Sequence, residues 1–152
     1  MVSGAKTRGE LIWGHGFLES RANIGLSPTA HMLFFHHVGA KPTWVVAFDD
    51  WVGKTAHLYV ASDGRTPIPR SLAYFTMLYG FEHIHLQRLF SLTNSLNRRV
   101  HRLMGWLGFR EIYRAAGCHE GGGDLVFNEI THSDVQHQRY FQNGQEIYPH
   151  AA

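Results

Sequence analysis

The sequence predicts a domain of the α+β class with mixed α/β order: one central mixed sheet flanked by helices. Three apolar segments of strand length follow one another in the first half, which is typical of an antiparallel meander. Two amphipathic helices, each next to a strand, follow in the second half, and a hairpin closes the domain. The predicted order is β-β-β-α-β-α-β-β after a short N-terminal segment, and this order favours a single sheet covered on both faces.

The N-terminal half supplies the meander. An apolar cluster at Glu10–Phe17 predicts a strand or a short helix, and Glu19–Leu26 predicts a further short helix. Valine and aromatic residues, which favour pleated surfaces, then predict three strands: Met32–Val38, Thr43–Trp51 and Thr55–Ala61. Glycine and proline predict the turns between them: Gly39–Pro42 and Val52–Lys54.

The first long helix is predicted after the third strand. Thr66 suits the N-cap, and Pro67 suits the first helical position, where a missing N–H costs nothing. Its apolar stripe has helical spacing: Ile68, Leu72, Phe75 and Tyr79. We expect the helix to end near Gly80 and the strand Leu86–Thr93 to run parallel to the third strand, because a helical crossover joins them.

A second helix follows Asn97. Its predicted apolar face recurs at i, i+4, i+7 and i+11: Leu96, Val100, Leu103 and Leu107. Gly108 is the residue type that most often ends a helix in a left-handed turn. Phe109–Ala115 and Leu125–Ile130 then predict the closing hairpin.

The last segment of the chain differs in composition from the rest. Residues 132–152 are mostly polar and contain the turn-forming pair Asn143 and Gly144. We therefore predict one domain over residues 1–131 and a C-terminal tail or arm over residues 132–152. Four apolar residues of this tail could dock on a partner and order it there: Tyr140, Phe141, Ile147 and Tyr148.

Composition narrows the classes of function. The chain has 152 residues, a formal net charge of +2 and one cysteine, so an intrachain disulfide is excluded. No apolar run approaches the ~18 residues that a membrane span needs, and residues 1–10 carry no signal-peptide core. Twelve histidines show no zinc-binding spacing, so we expect no metal. These features favour a protein of the cytoplasm.

A resemblance to a known superfamily rests on the unit strand, Asn97, helix, Gly108-Phe109 and strand. This unit resembles the C-terminal half of the Gcn5-related N-acetyltransferase (GNAT) superfamily. The block Trp44–Trp51, with Arg88-Leu89 further on, resembles a group of small GNAT-like proteins of bacteria and phages. The resemblance covers roughly residues 32–130 and implies an acetyltransferase that uses acetyl-coenzyme A on an amine acceptor.

The resemblance implies where acetyl-coenzyme A binds. In GNAT enzymes it lies where the third and fourth of these strands part, with its diphosphate on the N-terminus of the intervening helix, where free N–H groups attract anions. The matching cofactor-binding positions of this chain are Ser62, Gly64, Arg65, Thr66, Arg70 and Asn97. The usual phosphate-loop signature is absent. The alternative interpretation is that Gly64 forms a turn, Thr66 caps the helix and the two arginines are solvated.

The resemblance also implies a base and an acceptor site. His57 occupies the strand position where many GNAT enzymes place a glutamate base, and imidazole has a suitable pKa. Asp49 and Asp50 could bind a cationic amine, or form the polar end of a hairpin. Met104 stands where many members place a tyrosine proton donor, and a thioether cannot donate a proton.

Two alternatives remain open at this point. Some members of the small GNAT-like group are encoded among phage structural genes, so a non-catalytic virion component or adaptor is the rival to the enzyme. Its partners would be virion proteins or further copies of the chain. A third hypothesis, binding of nucleic acid by Arg98, Arg99 and Arg102, lacks an accompanying motif.

Overall fold

The computed structural model describes residues 1–4, 8–22, 24–36 and 42–149, and these residues form a seven-stranded sheet with helices on both faces. The strands are β1 (Val2–Gly4), β2 (His31–His36), β3 (Pro42–Val52), β4 (Thr55–Ser62), β5 (Arg88–Asn94), β6 (Arg110–Ala115) and β7 (Leu125–Thr131). The helices are α1 (Arg8–Ala22), α2 (Arg70–Leu78), α3 (Arg98–Leu107), α4 (His132–Gln136) and α5 (Arg139–Ile147), and a π-helical turn (Tyr79–His83) extends α2.

The sheet has the predicted mixed character. Its strand order is β1-β2-β3-β4-β5-β7-β6, and every neighbouring pair is antiparallel except β4 and β5. The α+β class, the meander β2-β3-β4 and the parallel β4–β5 pair are therefore confirmed. The predicted turn at Gly39–Pro42 lies outside the described residues apart from Pro42, where β3 begins.

The N-terminal segment resolves into one strand and one helix. The 15-residue α1 spans most of the two short elements predicted there, and β1 extends the sheet by pairing with β2. Leu18 of α1 is fully buried against β2, β3 and β4. This helix therefore covers the part of one sheet face that β2, β3 and β4 form.

The start of α2 corrects the prediction that Thr66 caps it. The helix begins at Arg70, and Pro69 is the N-cap residue. The reason lies in the two prolines, because a residue that precedes proline is disfavoured in the α-helical region. Pro69 thus excludes Ile68 from the helix. Gly80 does not end the helix, since the π-helical turn continues to His83.

The second predicted helix, α3, is confirmed at both ends. The Asn97 side chain accepts a hydrogen bond from the amide of Val100 at 3.2 Å, and Gly108 adopts the left-handed φ of 97°. Met104 and Leu107 are buried in the main core. Leu96 corrects the predicted apolar face, because it precedes the helix and is 67% exposed.

The C-terminal segment, predicted as a tail or arm, contains two short helices that follow β7 directly. Thr131 and Asp134 form a capping box that starts α4, and α5 then packs on α2. Phe141 is fully buried and its ring lies 5.3 Å from that of Tyr74. A Cβ at Gly144 would overlap the same Tyr74 ring, so glycine permits the close approach of α5. The apparent turn residue is thus a packing residue.

The core has two layers, one on each side of the sheet. Residues of α2, α3, α4 and α5 pack together on one face, and α1 packs on the other. No helix among the described residues has both the length and the apolar character that crossing a bilayer requires.

Candidate active site

The parallel strands β4 and β5 pair only at one end. Their paired residues are Thr55 with Arg88, Ala56 with Leu89, and His57 with Phe90. Beyond this point β4 runs on to Ser62 and β5 to Asn94, and no further pair joins the two strands within the described residues. The strands therefore part, and each presents an edge whose backbone groups can bind an added chain-like molecule.

A cleft of about 860 Å³ lies between the separated strands. Its walls come from β4, β5, α3 and the end of α1, and include Leu58–Ser62, Ser91–Asn94, Asn97, Arg99, Met104 and Glu19–Ala22. A volume of several hundred cubic ångströms is typical of a small-molecule site. The parting of two strands thus produces an open site in the middle of the sheet.

Two residues at the start of α3 line this cleft, Asn97 and Arg99. The Arg99 guanidinium donates a hydrogen bond of 3.1 Å to the carbonyl oxygen of Gly64, in the loop between β4 and α2. Arg99 is therefore fixed across the cleft mouth. In the sequence Arg99 groups with Arg98 and Arg102, but in the structure these two line a separate shallow basin.

The loop between β4 and α2 satisfies three of its own amides. The amide of Gly64 donates to Ser62 Oγ at 3.1 Å. The amides of Arg65 and Thr66 donate to Asp63 Oδ1 at 2.9 and 3.2 Å. These bonds from Arg65 and Thr66 lower the pKa of Asp63, which is ionised at neutral pH. The loop thus carries its own anion where the resemblance implies a diphosphate.

The predicted cofactor residues are only partly brought together. Ser62 and Asn97 line the cleft. Gly64 reaches it through its bond to Arg99. Thr66 is held by Asp63, and the exposed side chains of Arg65 and Arg70 lie outside the described cleft lining. Pro69 provides no side-chain cap for the first-turn amides of α2.

His57 is the last paired residue of β4, at the point where the strands part, which we call the apex of the cleft; its side chain is not part of the described cleft lining. Its Nδ1 is 3.3 Å from the Tyr59 hydroxyl and 3.3 Å from Asp50 Oδ2. The Tyr59 hydroxyl donates a hydrogen bond to Asp50, and Tyr59 itself lines the cleft. Burial, together with this bond to Asp50, raises the pKa of Tyr59. The sequence analysis missed Tyr59, although it shares a strand face with His57 at spacing two.

The two predicted acceptor-binding aspartates have different environments. Asp49 is 2% exposed, and its carboxylate accepts bonds from the Ser27 amide at 2.5 Å and from the Ser27 hydroxyl. It holds the segment before β2 and is not available to a ligand in this arrangement. Asp50 has a left-handed φ of 50° at a break in strand register, which places its carboxylate beside Tyr59 and His57.

Comparison with known proteins decides the fold. No family model and no curated relative matches the chain. A chimera of the spermidine N-acetyltransferase SpeG from Vibrio cholerae and hSSAT superimposes with a TM-score of 0.73 and 13% identity, over 90% of this chain and 99% of that chain. Dodecameric SpeG from Vibrio cholerae gives 0.72 and 14%, over 90% and 96%. SpeG with manganese ions gives 0.71 and 13%, over 89% and 95%. This chain has the GNAT fold.

At this low identity the similarity establishes architecture, and chemistry must come from the site itself. The position where many GNAT enzymes carry a tyrosine is filled by Met104, which is buried in the cleft wall. The described residues contain no cluster of three or more potential metal ligands. Tyr59 connects the cleft lining to His57 and Asp50, and Glu19 and His119 are further titratable residues of the described lining.

Proposed function

We propose that this protein is an N-acetyltransferase that moves an acetyl group from acetyl-coenzyme A to an amine. The observation that carries the proposal is the cleft opened by the parting of β4 and β5 after three residue pairs. A closed sheet would offer neither the free strand edges nor the space. The open cleft favours this function over the alternative of a virion component.

The residues present fit acetyl-coenzyme A, with one adjustment. The separated edges of β4 and β5 suit its amide-containing arm, and Arg99 offers a positive charge at the mouth. The first turn of α2, which has no side-chain cap, offers amides for the diphosphate. Asp63 would have to turn away from the loop amides, because its charge repels phosphate.

The proposed chemistry uses the cluster at the apex. Acetyl-coenzyme A supplies an activated thioester. The amine nitrogen would bond to the acetyl carbon as the carbon–sulfur bond breaks, and the sulfur would leave as a thiolate. His57 accepts the proton released by the amine, directly or through one water, and Asp50 stabilises the resulting imidazolium. Met104 donates no proton, so the leaving sulfur is protonated from solvent.

The test begins with binding of coenzyme A. A ligand at a hundred times its dissociation constant adds about 2.7 kcal/mol to stability, which raises the melting temperature by roughly 5–10 °C in a chain of this size. We expect this shift for the wild type and for Arg102→Ala, and a much smaller shift for Arg99→Ala. Both arginines lie on α3, but only Arg99 lines the cleft.

Turnover is then followed by release of the coenzyme A thiol with a panel of amines. His57→Gln should bind coenzyme A like the wild type and lose most of its activity at neutral pH. The absence of any melting shift with millimolar coenzyme A would remove the enzyme hypothesis.

We further propose that the protein acts in the cytoplasm and associates with itself. One SpeG neighbour is described as a dodecamer, which supports testing assembly directly. Light scattering on the purified full chain would give its mass in solution. A mass equal to one chain at micromolar concentration would contradict self-association.

A further inference from the structure

The sheet face beneath α1 continues beyond that helix as an apolar surface that no helix among the described residues covers. Residues directly opposite one another on paired strands share a face. The register places Leu92, Phe127 and Tyr113 in one row across β5, β7 and β6. Phe90 and Leu125 belong to the adjacent rows of the same face. We call these five residues the apolar shelf.

The shelf is accessible to a ligand. Tyr113 is 61% exposed and Leu92 is 36% exposed, although both are large apolar side chains. The Tyr113 and Phe127 rings contact each other at a centroid distance of 5.5 Å. The core that α1 covers on this face is built from β2, β3 and β4 and includes none of the described shelf residues. Clustered exposed apolar residues of this kind mark binding surfaces.

The shelf is continuous with the candidate active site. Leu92 and Leu125 line the cleft, and the Phe90 ring lies 6.2 Å from the ring of His57. Tyr59 lines the cleft on the neighbouring strand of the same sheet face. A molecule that lies on the shelf can therefore place one end at the cleft apex.

The charges around the cleft do not suit a polycation. The charged side chains of its described lining are one carboxylate, Glu19, and two guanidinium groups, Arg21 and Arg99. A polyamine carries several ammonium groups, and each needs an acidic partner when it is desolvated. Arg99 is assigned to coenzyme A, and the charges of Glu19 and Arg21 cancel, so the described lining offers no net negative charge to a polycation.

The other carboxylates near the cleft are already engaged. Asp49 is bonded to Ser27, and Asp50 to Tyr59. Glu129 pairs with Arg88 and Arg110. Asp63 accepts the loop amides. Hydrogen bonds from neutral donors leave these carboxylates charged, but Asp49 is buried, Asp63 lies in the loop assigned to the diphosphate, and Glu129 is neutralised by its two arginines. The exposed Asp50 carboxylate beside His57 remains as a partner for one ammonium group, whereas a polyamine would need several.

We infer that the acceptor is a small amine with a single amino group and an aromatic or aliphatic body. The body lies on the apolar shelf, and the amino group lies at the apex beside His57. Aromatic side chains at Phe90, Phe127 and Tyr113 offer ring contacts that stabilise a bound ring. This inference rests on the proposed acetyl transfer and names its acceptor class. It differs from the polyamine named for the SpeG neighbours.

The experiment compares two acceptors at equal concentration, phenethylamine and spermidine, with saturating acetyl-coenzyme A. The measured quantity is kcat/KM from release of the coenzyme A thiol. We expect kcat/KM to be at least about tenfold higher for phenethylamine than for spermidine. A tenfold difference corresponds to the loss of a single apolar or charge contact. Saturation-transfer NMR with phenethylamine gives a second readout, independent of turnover.

Variants locate the site. Leu92→Glu and Tyr113→Ala should lower kcat/KM for phenethylamine about tenfold and weaken its NMR signal. The melting shift of Tyr113→Ala with coenzyme A should equal that of the wild type, because Tyr113 lies outside the described cleft lining. Ile147→Glu, at an exposed position of α5, is the matched control. It should leave kcat/KM unchanged for both acceptors. Light scattering of Leu92→Glu shows whether this substitution changes the oligomeric state.

The possible outcomes distinguish the acceptor class from the acetyltransferase activity itself. A normal melting shift with coenzyme A, combined with a preference for spermidine, would overturn the acceptor class and keep the acetyltransferase. Loss of oligomers in Leu92→Glu, with unchanged kinetics, would instead show that the shelf is an interface between copies. The absence of the coenzyme A shift in the wild type would overturn both proposals.

Discussion

Replacing Phe141 with alanine tests whether α5 belongs to the core. Phe141 is fully buried, and its ring contacts that of Tyr74, itself 1% exposed. Removing a buried phenylalanine side chain costs about 3–5 kcal/mol, because apolar burial is lost and a cavity remains. A domain of ordinary stability has only about 5–15 kcal/mol in total. The variant should therefore unfold roughly 10 °C lower than the wild type.

Urea unfolding followed by circular dichroism measures the free-energy loss, and a thermal scan measures the melting temperature, with Ile147→Ala as the control on the same helix. Ile147 is 67% exposed, so its truncation should change stability by less than about 0.5 kcal/mol. If Phe141→Ala and Ile147→Ala both unfold like the wild type, α5 is detached from the core. The composition-based prediction of an arm would then be right, and the packing described for this helix would be wrong.

Three other changes have clear expected results. Asn97→Ala removes the α3 cap and should cost about 1 kcal/mol in urea unfolding, whereas Asn97→Ser should cost much less. Two arginine partners lower the pKa of Glu129 against the opposing effect of burial, so its ionised form stabilises the fold. This contribution is complete above the ordinary carboxyl pKa of about 4.3 and disappears as the pH falls through the lower folded value. Thermal scans at pH 7 should therefore show Glu129→Gln to be less stable, and the difference should shrink in acid. Asp63→Ala should tighten coenzyme A binding about two- to fivefold in calorimetry, the size of an exposed charge contact; weaker binding would contradict the repulsion argument.

The elements that could be predicted are those specified by residues close together in sequence. Asn97 and Gly108 mark both ends of α3 by local hydrogen bonding and a left-handed turn. The parallel pairing of β4 and β5 follows from the helix between them. The docking of α5 could not be predicted in this way, because Gly144 looks like a turn residue until the Tyr74 ring stands against it.

The candidate site also contains residues that could be predicted from sequence and residues that depend on contacts formed only in the fold. Ser62 and Asn97 were found from the resemblance, and the structure places both at the cleft, although their roles stay predictions. Arg99 was missed because its partner, the Gly64 carbonyl, lies 35 residues away in the chain. Tyr59 was missed because its bond to Asp50 depends on a local break in strand register.

Asp63 and Arg99 together indicate how this chain departs from the usual phosphate loop. The loop amides of Arg65 and Thr66 are held by Asp63, so they cannot bind a diphosphate without a rearrangement. Arg99 meets the same loop from α3 and brings a positive charge to the carbonyl side of Gly64. A charged side chain can thus replace amides that two prolines and an aspartate remove from the loop. Under the proposed function, the absent signature and the open cleft are compatible, because Arg99 on α3 can bind an anion that the loop amides do not.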